Sequence, residues 1–483
     1  MNSDTGKLEH SRPIRHWAKT LALVAITCAV AGGRWGTPIS ACAEEANVPK
    51  SSFQQFLERD YLLGDWWGLR PRLATNGVDF EFMYFGSQAM NLSGGIQTGS
   101  VYEGAFLMTL DLGSEKLVGY EGGHLHAGGL QIHGSSFSEA YVGDLNKTSL
   151  LDFAHGFRLW ELWYEQKLLD GKISLKAGQL AIDRDFIVPE YYASFGQFTF
   201  VNQTFFFPTL AFNVYGQGFP EGRHGLASTP YGAPGVRLRV DPTEKFYVQA
   251  GVYDGNPDDS YTGTRVNLNS EEGALAFFEL GYRLNQQKTA AGAPGSYKLG
   301  GFYHTDSFYD AYQSTWWAFQ NKAPIPSVFP ATRDGNFGLY FLADQMLLRE
   351  VGKEDPAQQG LIGFFRATGA PGDRNLTQFG LDGGLVYRGL IPTRDWDTLG
   401  VGLSYLQMSD AISRAQQDIN QQYGAGTVPV ADYEGVLELN YRIQVTAWWV
   451  LQLSGQRVFH PGGRLSVELP DAWVCILGTT LRF

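Results

Sequence analysis

The chain closes on Trp473-Val-Cys-Ile-Leu-Gly-Thr-Thr-Leu-Arg-Phe483, and this run decides the fold. Side chains of a strand alternate between its faces. Trp473, Cys475, Leu477, Thr479, Leu481 and Phe483 therefore share one side, and Val474, Ile476, Gly478, Thr480 and Arg482 share the other. About ten residues of such alternation is the length a tilted strand needs to cross a bilayer. Beyond the extreme N-terminus nothing is apolar for long enough to cross as a helix. Hydrocarbon tolerates strands only when they close on themselves, because an open edge would leave unpaired amides in lipid. The run predicts an all-β fold, a transmembrane antiparallel β-barrel.

Working back from the end, the same pattern recurs at about 447–458, 433–443, 397–408, 376–389, 358–367, 336–348, 296–305, 274–284, 245–254, 234–241, 172–180, 157–168, 123–134, 105–112 and 78–86. With the terminal run this makes 16 strands, an even number that returns both chain ends to the same side. In the first strand Val78, Phe80, Phe82 and Tyr84 face out while Asp79 and Glu81 face in. Val236, Leu238 and Val240 point to lipid, and Arg237 and Arg239 point to the lumen. Leu437, Leu439 and Tyr441 are opposed in the same way to Glu438, Asn440 and Arg442. On the strand at 157–168, Glu161, Trp163 and Glu165 are expected inside, with Trp160, Leu162 and Tyr164 outside. Inward charges of both signs fit a water-lined channel better than a packed core, where each would need a costly buried partner.

Composition agrees. The 59 glycines, 14% aromatic residues and mean hydropathy of −0.19 suit a barrel with an apolar exterior and a wet interior, and do not suit a helical membrane protein. Residues 1–43 carry a basic stretch (Arg12, Arg15, Lys19), the apolar core Leu21 to Val30 and a small-x-small site at Ala41-Cys42-Ala43, the pattern of a cleaved export signal. Ile39-Ser-Ala-Cys42 loosely resembles a lipoprotein box, but it lies past Arg34 and Pro38, beyond the apolar core. Cleavage takes five basic residues (Lys7, Arg12, Arg15, Lys19, Arg34) and two acidic ones (Asp4, Glu9) from the 37 Lys+Arg and 49 Asp+Glu, so the mature chain carries a net charge near −15. That balance argues against nucleic acid or anionic lipid headgroups as partners, since both need clustered positive charge. Cys28 and Cys42 leave with the signal, and the single remaining Cys475 excludes an internal disulfide or a cysteine-built zinc site.

Residues 44–77 precede the barrel at 78–483. Ser51-x-x-Gln54 resembles a capping box, and Phe53, Phe56 and Leu57 follow at helical spacing, which predicts a short helix on the periplasmic side or tucked into the barrel mouth. Connections alternate between tight (Leu169-Asp-Gly171, Asp241-Pro-Thr-Glu244) and long (135–156, 305–335, 409–432). The longest, 181–233, holds Asp183, Arg184, Asp185 and Glu190 and then a run of rings from Tyr191 and Tyr192 to Tyr215. So many rings call for burial. The segment 191–215 is expected to fold into the lumen and help form a weak sugar site, with the four charges near its entrance.

No nucleophile elbow, P-loop, His-Glu-x-x-His or dinucleotide fingerprint is present, so neither catalysis nor a cofactor is expected. His133-Gly-Ser135 faintly resembles an outer-membrane phospholipase, but nothing else of that pattern follows. His124-Leu-His126 places two imidazoles on one strand face, with His133 joining them if Gly128-Gly129 is a bulge. Without a carboxylate at fixed spacing they read as polar lining, and no metal is expected.

Several stretches together resemble the carbohydrate-selective porin (OprB) family. Leu62-Leu-Gly-Asp-Trp-Trp-Gly-Leu-Arg-Pro-Arg-Leu73 with Gly77 is similar to its N-terminal signature, Trp67 and Pro71 being small departures. Leu162-Trp-Tyr-Glu-Gln-Lys167 with Asp170-Gly171 and Ala177-Gly-Gln-Leu180, then Ala233 to Arg239, Phe246 to Gln249 and Tyr253 to Pro257, resemble the central hairpins. Phe337 to Tyr340, Ala343 to Met346 and Thr479 to Phe483 continue the likeness to the end. The resemblance implies a sixteen-stranded porin for passive uptake of sugars, usually glucose, while 190–232 is the part most this chain's own. A general diffusion porin and an outer-membrane enzyme are the alternatives. A terminal Phe483 also resembles the signal read by the machinery that inserts barrels into the outer membrane. The oligomeric state cannot be read from the pattern.

Overall fold

Every predicted run finds its chain neighbour as a hydrogen-bonded partner. The computed structural model describes residues 51–134, 136–190, 199–206, 228–256, 262–264, 273–286, 292–323, 325, 331–350 and 359–483. Residues 1–50, which hold the expected export signal, and Tyr191 and Tyr192 lie outside these. Sixteen antiparallel strands form one closed barrel in which β1 (Val78–Ser93) pairs with both β2 (Gly99–Gly113) and β16 (Ala472–Arg482). Closure leaves no unpaired edge, as a bilayer demands. The remaining strands follow in chain order: β3 (Gly123–Gly134), β4 (Gly156–Leu168), β5 (Ile173–Leu180), β6 (Ala233–Val240), β7 (Phe246–Asp254), β8 (Ala274–Leu284), β9 (Gly295–Tyr309), β10 (Thr332–Arg349), β11 (Gly360–Gly369), β12 (Thr377–Arg388), β13 (Thr398–Met408), β14 (Tyr433–Thr446) and β15 (Trp449–Phe459).

β1 and β2 run well past their expected ends. Their upper halves are Gly-, Ser- and Asn-rich and carry little alternation, but each pairs with the other in unbroken register up to Asn91 and Gly99. The alternation sets the faces as expected for most strands. Leu162, Tyr164, Val236, Leu238 and Leu439 are exposed on the outer wall, and Glu161, Arg237, Glu438 and Asn440 are buried on the inner one.

Trp160 is the exception. In the β3/β4 ladder Gly128 faces Glu161 while Gly129 faces Leu159, so Trp160 is an extra residue in a bulge. It turns inward and packs with Leu130 and Ala181, only 5% exposed, where strict alternation had put it in lipid. Because the extra residue sits on β4, His133 stays on the opposite face from His124 and His126. It lies on the outer wall beside Tyr84 and Tyr102.

The tight connections 169–172, 241–245 and 447–448 lie at one end of the barrel, with the chain end Phe483. The long ones, 135–155, 181–232, 310–331 and 409–432, lie at the other. Among the described residues two helices stand before β1, Ser52–Leu57 and Leu69–Thr75. The first is the expected one, with Phe56 against Trp448 at the short-turn end (ring centroids 5.2 Å apart). The second was hidden by Pro71, which costs little in a helix's first turn, where its missing N–H would have had no partner. Its Arg70 donates to the carbonyls of Phe80 (2.9 Å) and Phe483 (2.6 Å), tying the segment to the seam where the barrel closes.

Candidate channel lining

The inner wall from β4 to β9 is a ladder of paired charges. Glu165 on β4 accepts from Ser174 Oγ (2.5 Å) and Arg237 Nη2 (2.9 Å) on the next two strands. Lys176 on β5 donates to both oxygens of Asp185 (2.9 and 3.0 Å) and lies 4.2 Å from the centre of the Trp163 ring. One rung lower, Arg239 donates to Asp241 (2.8 and 3.1 Å) and stacks its guanidinium 3.9 Å from the Tyr247 ring. Arg283 bridges Asp241 (3.1 Å) and Glu190 (3.3 Å), and Lys298 lies 3.4 Å from Glu190. Asp241 stands in the turn after β6. Burial alone would raise its carboxyl, but the hydrogen bond and charge of Arg239, with Arg283 beyond, hold it below the usual carboxylate range.

This ladder changes the role of the four charges at the start of the long connection. Asp185 and Glu190 are tethers, seating residues 182–190 along the charged wall. Ile187 N–H donates to Glu279 (3.0 Å) and Val188 C=O accepts from Lys298 (2.6 Å). Asp183 accepts from the backbone N–H (2.8 Å) and hydroxyl (2.7 Å) of Thr229, so it fastens the two ends of the connection together. Arg184 alone of the four keeps half its side chain in the open. Its guanidinium lies 5.4 Å from the Trp160 ring, and its Nε is 3.9 Å from Glu161 Oε2. The structure thus brings Glu161, Trp163, Glu165, Asp185, Glu190, Arg237 and Arg239 onto one stretch of wall, with Arg184 over it. The sequence did not point to Lys176, Asp241, Glu279, Arg283 and Lys298. Lys176, Glu279, Arg283 and Lys298 lie on the inward parity of their strands, so the alternation could have found them.

The opposite wall is covered. Residues 199–206 of the same connection cross to β11–β15, where the N–H groups of Val201 (2.9 Å) and Asn202 (3.0 Å) each donate to one oxygen of Glu438. Ser454 (2.8 Å) and Asn440 (3.0 Å) donate to the same carboxylate. Phe200 and Phe205 pack with Met346, Ile362, Phe364, Val386 and Val436. They fit because β13 carries glycines beneath them: a Cβ on Gly400 would meet Phe200 at 2.9 Å, and one on Gly402 would meet Phe205 at 2.7 Å. A second segment folds in beside the first. Leu145 (2.8 Å) and Asn146 (2.7 Å) donate through their backbone to Glu434, and Gln456 donates to Thr148 C=O (2.8 Å). Of the expected aromatic segment 191–215, only 199–206 lies among the described residues.

A closed sixteen-strand antiparallel barrel with an apolar outer wall and an ionisable inner one is the architecture of a porin. Within that class this chain belongs to the carbohydrate-selective porin, OprB family, which residues 97–483 match. It is 27% identical over 460 residues to Porin B of Pseudomonas aeruginosa, covering 91% of this chain and 93% of that one. It is 24% identical over 449 residues to the putative porin QuiX of Acinetobacter baylyi, covering 88% and 94%. A high-pH structure of Pseudomonas putida OprB shares the fold, with a TM-score of 0.75, 24% identity and coverage of 88% of this chain and 99% of that one.

Proposed function

We propose that this chain is an outer-membrane channel for passive diffusion of sugars, glucose-type monosaccharides foremost, with a weak binding site on the β4–β9 wall. The observation that carries the reading is the pairing of its charges. Lys176, Arg184, Arg237, Arg239, Arg283 and Lys298 each have a carboxylate oxygen within 4 Å, so the surface offers fixed donors and acceptors in close array. Charge-assisted hydrogen bonds of this kind suit hydroxyl-rich solutes. Arg184, half in the open beside Glu161 and Trp160, is the side chain best placed to exchange its partner for a sugar hydroxyl. A channel must also release its solute, so the expected affinity is millimolar, about 4 kcal/mol. The short-turn end and both chain ends face the periplasm in this reading, as in bacterial barrels generally.

Liposome swelling with neutral and charged sugars of equal size tests it. Neutral hexoses are expected to enter faster than equally sized acidic ones, and Arg184→Ala to weaken glucose block of the ion current by roughly tenfold, about 1.4 kcal/mol. Rates that follow solute size alone, with unchanged block in Arg184→Ala, would make this a general diffusion porin. Phe483 is read as the residue offered to the insertion machinery. Its N–H extends the β1 pairing through Phe82 C=O (2.9 Å), and its ring meets Phe106 at 5.8 Å on the outer wall. Deleting it should lower the yield of heat-modifiable barrel while export continues, and normal yield would refute that role.

A further inference from the structure

One cluster on the inner wall takes no part in the charge ladder. Asp111 on β2 lies directly opposite His126 on β3, and His126 lies directly opposite Trp163 on β4. His124 stands two residues before His126 on the same face. His124 Nε2 and His126 Nδ1 both come within 2.8 Å of the same oxygen, Asp111 Oδ1. The Trp163 ring lies almost parallel to His126 (16°, centroids 4.8 Å apart) and close to His124 (5.5 Å), which fixes the planes of both imidazoles with one nitrogen of each aimed at the carboxylate.

We propose that Asp111, His124 and His126 form a three-ligand site for a divalent first-row transition metal ion on the lumen wall near the short-turn end. Two imidazole nitrogens and one carboxylate oxygen are the donor set that zinc and its neighbours favour, and one that calcium and magnesium do not. Around a tetrahedral ion with ligand distances of about 2.0–2.1 Å the donors stand roughly 3.3 Å apart. Here one donor atom from each residue already lies within 4.8 Å of the others, so small side-chain rotations suffice. The remaining positions of the ion would open to the channel water.

A second observation points the same way. Histidines that ligate a metal usually donate their other ring nitrogen to a carboxylate, which orients the ring. His126 Nε2, the nitrogen away from Asp111, is buried without a hydrogen-bond partner and faces Glu161 Oε2 at 3.8 Å. Glu161 is thereby the supporting carboxylate for His126. The chain leaves this constellation hard to see, because Asp111 lies on the neighbouring strand and only the β2/β3 register brings it opposite His126.

Titration calorimetry of the metal-stripped full-length barrel in detergent, with zinc chloride as the probe, tests the proposal. One zinc ion per chain is expected, with no competition from a large excess of calcium or magnesium. Loss of a group that merely supports a ligand costs roughly 10–100-fold in affinity, so His124→Gln and His126→Ala should each lose more than about 100-fold. Heat-modifiability gels show which variants are folded, and His124→Gln, at the more open position, is the one that keeps the test sound if His126→Ala assembles poorly. Absence of zinc binding in the native barrel would overturn the site, as would native affinity in folded His124→Gln or equal displacement by calcium. None of these readouts depends on sugar transport.

Discussion

On the arc from β4 to β9 the inward positions include Glu165, Lys176, Arg237, Arg239, Glu279 and Lys298. On the arc from β11 to β15 comparable inward positions include Gly400, Gly402, Val436 and Glu438. Both arcs come from the same alternating strands with the same apolar outer face, yet one presents charge to the lumen and the other is covered by Phe200 and Phe205. The difference lies in what the long connection does to each. Along the first arc its residues 182–190 bring carboxylates that match the wall's cations: Lys176, Arg237 and Lys298 are buried in their pairs, while Arg239, Asp241, Arg283 and Glu190 stay partly open. Across the second, residues 199–206 bring rings and bare backbone N–H groups, which need an apolar bed and a buried acceptor. The wall supplies both through its glycines and through Glu438. An inward charge on a barrel strand therefore need not line the path of a solute, because Glu438 has become an internal fastener.

Removing that fastener is the most direct way to break the contrast. Glu438→Ala strips the acceptor from Val201 and Asn202, and each backbone N–H left buried and unpaired costs about 1–3 kcal/mol. The segment should leave the wall, raising single-channel conductance and lowering the temperature at which the barrel unfolds on gels. Gly402→Val attacks the same seat from beneath. Its Cβ would fall 2.7 Å from Phe205 and 3.1 Å from Phe200, and overpacking of this kind costs about 1–3 kcal/mol in total. Its conductance change should match that of Glu438→Ala in direction and be smaller. Unaltered conductance in both would mean that 199–206 does not narrow the channel.

The sequence carried the barrel, its strand number and most inward and outward assignments, because period-two alternation is imposed directly by lipid on one side and water on the other. It misled where that period is interrupted. Trp160 reads as an outward ring until an extra residue is placed in β4, and the glycines that mark the bulge, Gly128 and Gly129, sit on the partner strand rather than beside it. Other features depend on partners far apart in the chain. Asp185 looks like an entrance charge until Lys176 and Arg237 are set beside it, and Glu438 looks like lumen lining until Val201 arrives. The glycines of β13 read as weak strand residues, and only the rings seated on them explain their place. Local pattern reports which face a side chain takes, while its role comes from what the loops lay against that face.

The smallest expected effect sharpens the comparison by pH. Asp144 belongs to the second in-folded segment and is 8% exposed. Burial, and then the nearby charge of Glu434, pushes its carboxyl well above the usual carboxylate range. Asp241, on the charged side, is held below that range by Arg239 and Arg283. The signs oppose each other. An acid whose folded pKa is raised destabilises the fold as pH climbs past its unfolded value, so the Asp144 segment is held best in acid and loosens towards neutral pH. An acid whose folded pKa is lowered contributes stability above its unfolded value and loses it as pH falls, so the Asp241 rung is firmest at neutral pH. Asp144→Asn cannot ionise and should shrink the difference in protease protection of the 144–152 segment between pH 5 and pH 8, where the native barrel is cut faster at pH 8. Asp241→Asn should not alter that loop's protection at either pH. Equal pH sensitivity of the loop in native and Asp144→Asn barrels would place the titrating group elsewhere and remove the electrostatic half of the contrast between the two walls.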